Sequence, residues 1–120
     1  QTVLIPPETT DAFAPKVLRS GMGAHFRLPI YSMNWEEIAK TTTGMQIYVA
    51  DMDGSSCWEM DLSKSVALIV GNEAEGASES ARKLANGKIS IPMSGEMESL
   101  NAGAAGSVLM FEVLRQRSKV

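Results

Sequence analysis

The stretch that decides the fold is IPMSGEMESLNAGAAGSVLMFEVLRQR, residues 91–117 of a chain of 120 residues. Ser99 and Asn101 each carry an oxygen that can cap a helix, and the residues further on predict a final helix from Ser99 to about Arg117. A broad apolar face on this helix is predicted from Val108, Leu109, Phe111, Glu112, Val113 and Leu114. The first turns, Ala102–Gly106, hold only small residues, although each interior glycine costs a helix about 1 kcal/mol relative to alanine. The sequence therefore predicts a crowded helix start, where another backbone or a ligand comes very close.

Short apolar runs alternate with helix signals along the rest of the chain. The continuous apolar run VALIV is typical of a strand that is buried on both faces. Strands are predicted at 3–5, 25–31, 45–50, 66–70 and 88–93. Before the final helix, three helices are predicted: one at 11–20, one at 35–42 after a cap at Asn34, and one at 75–85 before Gly87. This alternation predicts an α/β fold, a mostly parallel sheet flanked by helices.

Composition narrows the class of protein. Apolar residues make up 44% of the chain, and 11 basic against 14 acidic residues give a net charge of −3, so any nucleic-acid binding must come from local patches. No apolar run approaches the ~20 residues that span a bilayer, and no signal segment is visible. We therefore expect a cytoplasmic protein without a membrane partner. The alternative location is an organellar stroma or matrix. The chain opens at Gln1 in a strand-like run, which predicts an upstream segment.

Two loops could carry chemistry. IVGNEAEGAS joins a strand to a helix, and Gly71 would let a ligand approach the backbone, although an ordinary turn fits equally and no phosphate-loop motif is present. Glu73 could orient a polar group or accept a proton, or be a solvated loop acid. In the second loop, Ser99 and Asn101 are either helix caps or side chains that point into a site.

Other candidate residues favour structural roles. His25 is the single histidine, so no histidine pair can bind a metal, and we expect no metal site. Residues 51–54, DMDG, lack the later acids of a calcium loop and are predicted to form a turn. Cys57, the single cysteine, excludes an internal disulfide and is predicted to be a packed small residue.

Taken together, ALIVGNEAEGAS at 67–78 and the stretch at 91–117 resemble the second and third motifs of the SpoU (TrmH-like) branch of the SPOUT superfamily of RNA methyltransferases. FAPKVLRSGMGAHFRLPI is similar to the segment between this family's first and second motifs. The order of the motifs and the step from Gly71 to Ile91 also fit. The resemblance covers nearly the whole chain and identifies residues 1–120 as a SpoU-type methyltransferase domain.

The resemblance implies a parallel α/β sheet whose C-terminal part forms a deep trefoil knot, and a homodimer. It implies an enzyme that binds S-adenosylmethionine in the knot and methylates a ribose 2′-hydroxyl of tRNA or rRNA. By match of motif, the cofactor site would be lined by Gly71, Ile91, Met93 and Leu100. Glu73, Ser99 and Asn101 match polar positions of the family's active site.

One departure from the family pattern bears on function. The family's first motif, Asn-x-Gly-x-x-x-Arg, supplies the arginine that activates the hydroxyl, and no such string occurs in this chain. We therefore expect the first strand–helix unit to lie before Gln1, and the 120-residue chain alone to be inactive. The alternative is a non-catalytic dimeric protein that binds RNA or serves as a scaffold, retaining the knot without the first motif.

Overall fold

A computed structural model of the chain describes residues 3–7, 30–71, 78–93 and 102–118. The chain forms two compact units, residues 1–43 and 44–120, and each is described by itself. The predicted helix at 11–20 and residues 25–29 of the second predicted strand lie outside the described residues. Residues 72–77 and 94–101 also lie outside the described residues, so the trefoil knot stays a prediction.

In the first unit, residues 3–7 and 30–43 form a two-stranded parallel sheet and a helix. Strand β1 (Val3–Ile5) pairs with β2 (Ile30–Ser32), and the amide of Met33 continues the ladder by donating to the carbonyl of Ile5 over 2.9 Å. Helix α1 (Trp35–Thr41) begins at the predicted cap. The Asn34 side chain accepts from the Glu37 amide at 2.8 Å while Glu37 accepts from the Asn34 amide, and this reciprocal pair satisfies two free donors at the helix start.

The second unit holds a three-stranded parallel sheet in the order β4-β3-β5. Its elements are β3 (Gln46–Ser56), β4 (Val66–Ile69), α2 (Glu79–Leu84), β5 (Gly87–Ser90) and α3 (Ala102–Arg117). Both neighbours pair with β3 in parallel, so the predicted α/β class with parallel pairing is confirmed. The middle strand, rather than β4, carries the buried residues Ile47 and Val49, whereas β4 is half-buried because it lies at an edge of the described sheet.

The boundaries of β5 and α2 differ from the sequence prediction. Helix α2 begins only after Ser78, whose side chain accepts from the Ala81 amide, and it ends at Leu84 because Ala85 is already extended. Gly87 therefore does not cap the helix; it is the first residue of β5 and pairs with Tyr48. The strand ends at Ser90, short of the predicted end at Met93, because its pairing with β3 ends where Ser56 pairs with Ser90.

The prediction of a turn at residues 51–54 was wrong in its main point, because β3 does not end there. Ala50 and Ser55 both pair with Ile89, so the residues between them are looped out of the ladder while the strand continues to Ser56. At Gly54 a Cβ atom would lie 2.6 Å from the backbone of Lys88 and Ile89. Only glycine lets the returning chain come this close to β5.

The core of the second unit lies between the sheet, the segment after β3, and α3. It consists of Cys57, Leu62, Ile89, Leu109 and Val113. The apolar residues of α3 were predicted to form one broad face, but the helix divides them. Leu109 and Val113 point into this core, whereas Met110, Phe111 and Leu114 are exposed. This division follows the helical period, because residues three or four apart share a face and adjacent ones do not.

The buried thiol of Cys57 confirms its predicted role as a packed residue. Burial is the main cause that raises its pKa, and the nearby Glu112 carboxylate raises that pKa further. Both effects disfavour the thiolate. The thiol is therefore a poor nucleophile in the folded chain.

Substitutions at Asn86 test the link between β3 and β5. The side-chain oxygen of Asn86 accepts from the buried backbone amide of Ile47 at 2.7 Å. The backbone amide of Asn86 donates to the Ile47 carbonyl at 2.7 Å. Asn86→Leu should lower the free energy of unfolding by about 1–3 kcal/mol, because a buried donor loses its acceptor. Asn86→Asp keeps an acceptor and is the control. Urea unfolding followed by circular dichroism measures both, and a leucine variant as stable as the aspartate variant would contradict this account.

The reactivity of Cys57 gives a second test. In the folded chain at pH 8, Ellman's reagent should leave the thiol unmodified, and it should react fully once denaturant unfolds the chain. The raised pKa also has a consequence for stability: the folded state should lose stability as the pH rises above the pKa of an exposed thiol, because only the unfolded chain then ionises. Cys57→Ala should remove that pH dependence, and fast labelling of the native chain would refute the burial argument.

Candidate functional site

The carboxyl ends of β3, β4 and β5 lie at one edge of the sheet because all three strands are parallel. Gly71 follows β4 after one residue, and Ile91 directly follows β5. With β3 between them, these two positions are about 10 Å apart, two interstrand spacings. Gly71, Ile91 and Met93 are all half-buried. The described candidates for cofactor binding thus lie at the edge where parallel α/β sheets bind ligands.

The remaining candidates are not placed by the structure. Glu73, Ser99, Leu100 and Asn101 lie outside the described residues. Their roles in binding or catalysis stay predictions. What the structure does give is the position of the chain on either side of them, at Gly71, at Met93 and at the start of α3.

Gly106 of α3 lies near Val70, the residue between β4 and Gly71. A Cβ atom placed on Gly106 would lie 3.6 Å from Cγ2 of Val70. This is an ordinary contact distance, so Val70 by itself does not require glycine at this position. The predicted crowding of the helix start is therefore not seen at Gly106, and it stays a prediction for the residues before it.

Asp51, which the sequence analysis read as part of a turn, is an additional charged residue at this edge. It lies where β3 leaves its regular pairing with β5, and it forms an ion pair of 2.9 Å with Arg82 of α2. The backbone amide of Asp53 is the main cause that lowers the pKa of Asp51, followed by Arg82. The carboxylate is therefore ionised at neutral pH and fixes the bulge against α2. The available signal in the sequence was an acid directly after the strand predicted at 45–50.

The segment after β3 adds an aromatic side chain near β5. The Cys57 amide donates to the Ser90 carbonyl at 2.8 Å, so the backbone beside Trp58 is attached to the last residue of β5. The Ser56 hydroxyl accepts from the Trp58 amide at 3.2 Å and stabilises the turn that follows. Trp58 is 51% exposed. It was not predicted as a site residue.

A polar cluster fastens the end of α3 to residues 60–64. Gln116 accepts from the Leu62 amide at 2.6 Å and donates to the Met60 carbonyl at 2.9 Å. Glu112 has a side chain that is 1% exposed, and it accepts from both Arg115 and Gln116. The sequence analysis had counted Glu112 within an apolar face, because a single acid in an apolar stretch gives no sign of its partners.

Within the ranges that the structure describes, no group of three or more His, Cys, Asp or Glu side chains could hold a metal ion. His25 lies outside those ranges. None of the helices described combines the length and the apolar character required to cross a membrane.

Comparison with known proteins gives one family. Residues 1–111 match the model of the SpoU rRNA Methylase family. A 23S rRNA (uridine(2479)-2′-O)-methyltransferase from Streptomyces viridochromogenes is 30% identical over 96% of this chain and 43% of its own length. The 23S rRNA (guanosine(2553)-2′-O)-methyltransferase RlmP of Bacillus subtilis is 32% identical over 92% of this chain and 46% of its own length. The chain thus spans less than half the length of these relatives.

Solved structures agree with the sequence relatives. The SpoU methyltransferase AviRb from Streptomyces viridochromogenes, in complex with AdoMet, superposes with a TM-score of 0.83 at 29% identity, over 97% of this chain and 47% of that one. An AdoMet-bound rRNA methyltransferase from Sinorhizobium meliloti gives a TM-score of 0.86 at 30% identity, over 98% of this chain and 47% of that one. The parallel strands, the motif-bearing loops at their carboxyl edge and the match over residues 1–111 agree: the chain belongs to the SpoU rRNA methylase family.

Proposed function

We propose that the protein transfers a methyl group from S-adenosylmethionine to a ribose 2′-hydroxyl of rRNA or tRNA. The observation that carries this proposal is the family match over residues 1–111, together with relatives named as 2′-O-methyltransferases of 23S rRNA. AdoMet is bound in two of the structures that superpose on this chain. The activity belongs to the complete protein, because the matched relatives are about twice as long.

The proposed cofactor site lies at the carboxyl edge of the second sheet. Gly71 has no side chain to obstruct a ligand. The half-buried Ile91 and Met93, which follow β5 on the other side of β3, would offer apolar contacts to it. Leu100, by match of motif, would complete the site through its backbone. This set of backbone groups and apolar side chains fits a nucleoside with an uncharged heterocycle, whose edges hydrogen-bond to backbone and whose faces contact apolar groups. A deep trefoil knot formed by residues 66–117, with α3 passing through a loop, would bring these segments together.

The proposed mechanism divides the work between the cofactor and the chain. S-adenosylmethionine supplies a sulfonium methyl group that is already activated. The chain must hold the ribose oxygen in line with that methyl group and stabilise the loss of the hydroxyl proton. Asn101 and Ser99 would donate or accept hydrogen bonds at the ribose, and Glu73 would orient a polar group beside them. None of the described residues is placed as the base, in accordance with the absent Asn-x-Gly-x-x-x-Arg string.

The exposed face of α3 supports the proposal of a homodimer. Met110, Phe111 and Leu114 are 61%, 71% and 53% exposed and lie within one turn of each other. Three large apolar side chains side by side on the surface are typical of an interface. A two-fold symmetric contact would bury this strip against the same strip of a second copy.

Mass spectrometry of nucleosides tests the function directly. RNA from cells with and without the gene, digested to nucleosides, should differ in one 2′-O-methylated nucleoside. The purified protein should restore that nucleoside on RNA from the deletion strain. Binding of RNA and cofactor without any methylation would instead support the non-catalytic alternative. The absence of cofactor binding would refute the proposal.

Two substitutions should separate binding from catalysis in the complete protein. Asn101→Ala should lower methyl transfer about 10²–10³-fold with little change in cofactor affinity, because a polar group is lost where charge develops in the transition state. Gly71→Val should weaken cofactor binding, since a branched side chain would occupy the space next to the backbone. Calorimetry with S-adenosylmethionine and tritium transfer to RNA measure the two effects. Equal losses of affinity and rate in Asn101→Ala would show that Asn101 is a helix cap.

The dimer has its own test. Light scattering should give a mass of about twice the 12.9 kDa of this chain at micromolar concentration. Phe111→Ser combined with Leu114→Ser should give a monomer that keeps the helical signal in circular dichroism, because neither side chain contributes to the core. Lys83→Ser, an exposed change on α2, is the control and should remain dimeric. A wild-type monomer would contradict the proposed interface.

A further inference from the structure

The cluster at the end of α3 fastens two parts of the chain that are far apart in sequence. Gln116 bonds to both Met60 and Leu62, which are 56 and 54 residues away. Arg117 adds a bond from its guanidinium to the carbonyl of Lys64. These bonds join the last turn of α3 to a segment that is not itself regular secondary structure. Apolar packing alone would let a helix slide along such a segment, whereas directed hydrogen bonds fix one position.

The buried Glu112 determines how the Gln116 amide is oriented. The Glu112 carboxylate accepts from Nε2 of Gln116 at 3.2 Å, and the Met60 carbonyl accepts from the same nitrogen. Both neighbours are acceptors, so the amide nitrogen must face them. Its oxygen then faces the Leu62 amide, which is a donor. The reverse orientation would place an oxygen against two acceptors and leave the Leu62 amide without a partner.

The described part of α3 is held by core packing and by directed bonds. Leu109 and Val113 pack into the core of the second unit, and Gln116 bonds to Met60 and Leu62. Gly106 lies ten residues before Gln116, about 15 Å along the helix. Packing there is not tight, because a Cβ atom would still fit 3.6 Å from Val70. The bonds at Gln116 therefore fix the position of the helix along its axis more strictly than the packing at Gly106 does.

We propose that Gln116, oriented by Glu112, is a positioning residue for the candidate cofactor site. It fixes α3 along its axis, and α3 begins at Ala102, immediately after Leu100 and Asn101 in the chain. A helix moves as a rigid rod, so a displacement at residue 116 also shifts Ala102, the residue to which the segment with Leu100 and Asn101 is joined. The inference rests on the proposed function, since it assigns Gln116 an effect on cofactor binding.

The test compares two variants with equal loss of stability in the complete protein. Gln116→Leu removes both bonds to Met60 and Leu62. Asn86→Leu removes a bond to Ile47 near the amino end of β3, at the other end of the sheet. Melting is followed by circular dichroism, and the affinity for S-adenosylmethionine is measured by calorimetry at a temperature where both variants are fully folded. Gln116→Leu should bind about tenfold more weakly than wild type, and Asn86→Leu within twofold of it.

A shorter amide provides a second measurement if Gln116→Leu does not fold. Gln116→Asn keeps the donor and the acceptor but is one methylene shorter, so α3 must move or one bond must break. It should weaken cofactor binding severalfold, with a smaller loss in melting temperature. Glu112→Gln keeps an acceptor oxygen for Nε2 of Gln116. Its affinity for the cofactor should lie between that of Gln116→Asn and that of the wild type.

The outcomes separate the two proposals. Wild-type affinity in Gln116→Asn and Gln116→Leu would overturn the positioning role and leave the proposed function intact. The same follows if affinity falls equally in Gln116→Leu and Asn86→Leu, because stability alone would then account for it. Failure of the wild-type protein itself to bind S-adenosylmethionine would overturn the proposed function, and the positioning role with it.

Discussion

Parallel pairing of β3 with both β4 and β5 is the constraint on which the rest of the second unit depends. Two adjacent parallel strands cannot be joined by a tight turn, so the chain must cross back along the sheet after each one. All three strands therefore end at the same edge. The segments that follow β4 and β5, beginning at Gly71 and Ile91, therefore start at the same edge, with β3 between them, although they are 20 residues apart in sequence. This geometry brings the starts of the family's second and third motifs to one edge of the sheet.

Helix α3 uses its two faces for different purposes. The inner face combines apolar packing at Leu109 and Val113 with the buried acid Glu112. A buried carboxylate is costly unless its oxygens are hydrogen-bonded, and here Arg115 and Gln116 donate to it. The outer face leaves Phe111 and Leu114 exposed, where a second copy could cover them. The same helix thus contributes to the core, to the proposed site and to the proposed dimer.

Local signals in the sequence predicted most elements but not their ends. The cap at Asn34 was predictable because the residues of a capping box lie within four positions of each other. The start of β5 at Gly87 was not, because glycine is typical of helix ends and its pairing with Tyr48 depends on a strand 39 residues away. The bulge after Ala50 was missed for the same reason: DMDG has the composition of a turn, and only the approach of β5 at Gly54 shows that the strand continues.

The sequence by itself determined the family, the parallel α/β class and the identity of the motif residues, because these depend on residue types at fixed spacing. Only the tertiary structure decided which side of α3 faces the core, that Glu112 is buried, and that Gln116 reaches Met60 and Leu62. Hydrogen bonds between residues more than fifty positions apart leave no local pattern, since each partner taken alone is an ordinary polar group. Their effect arises only when packing removes water and leaves these groups to bond with one another.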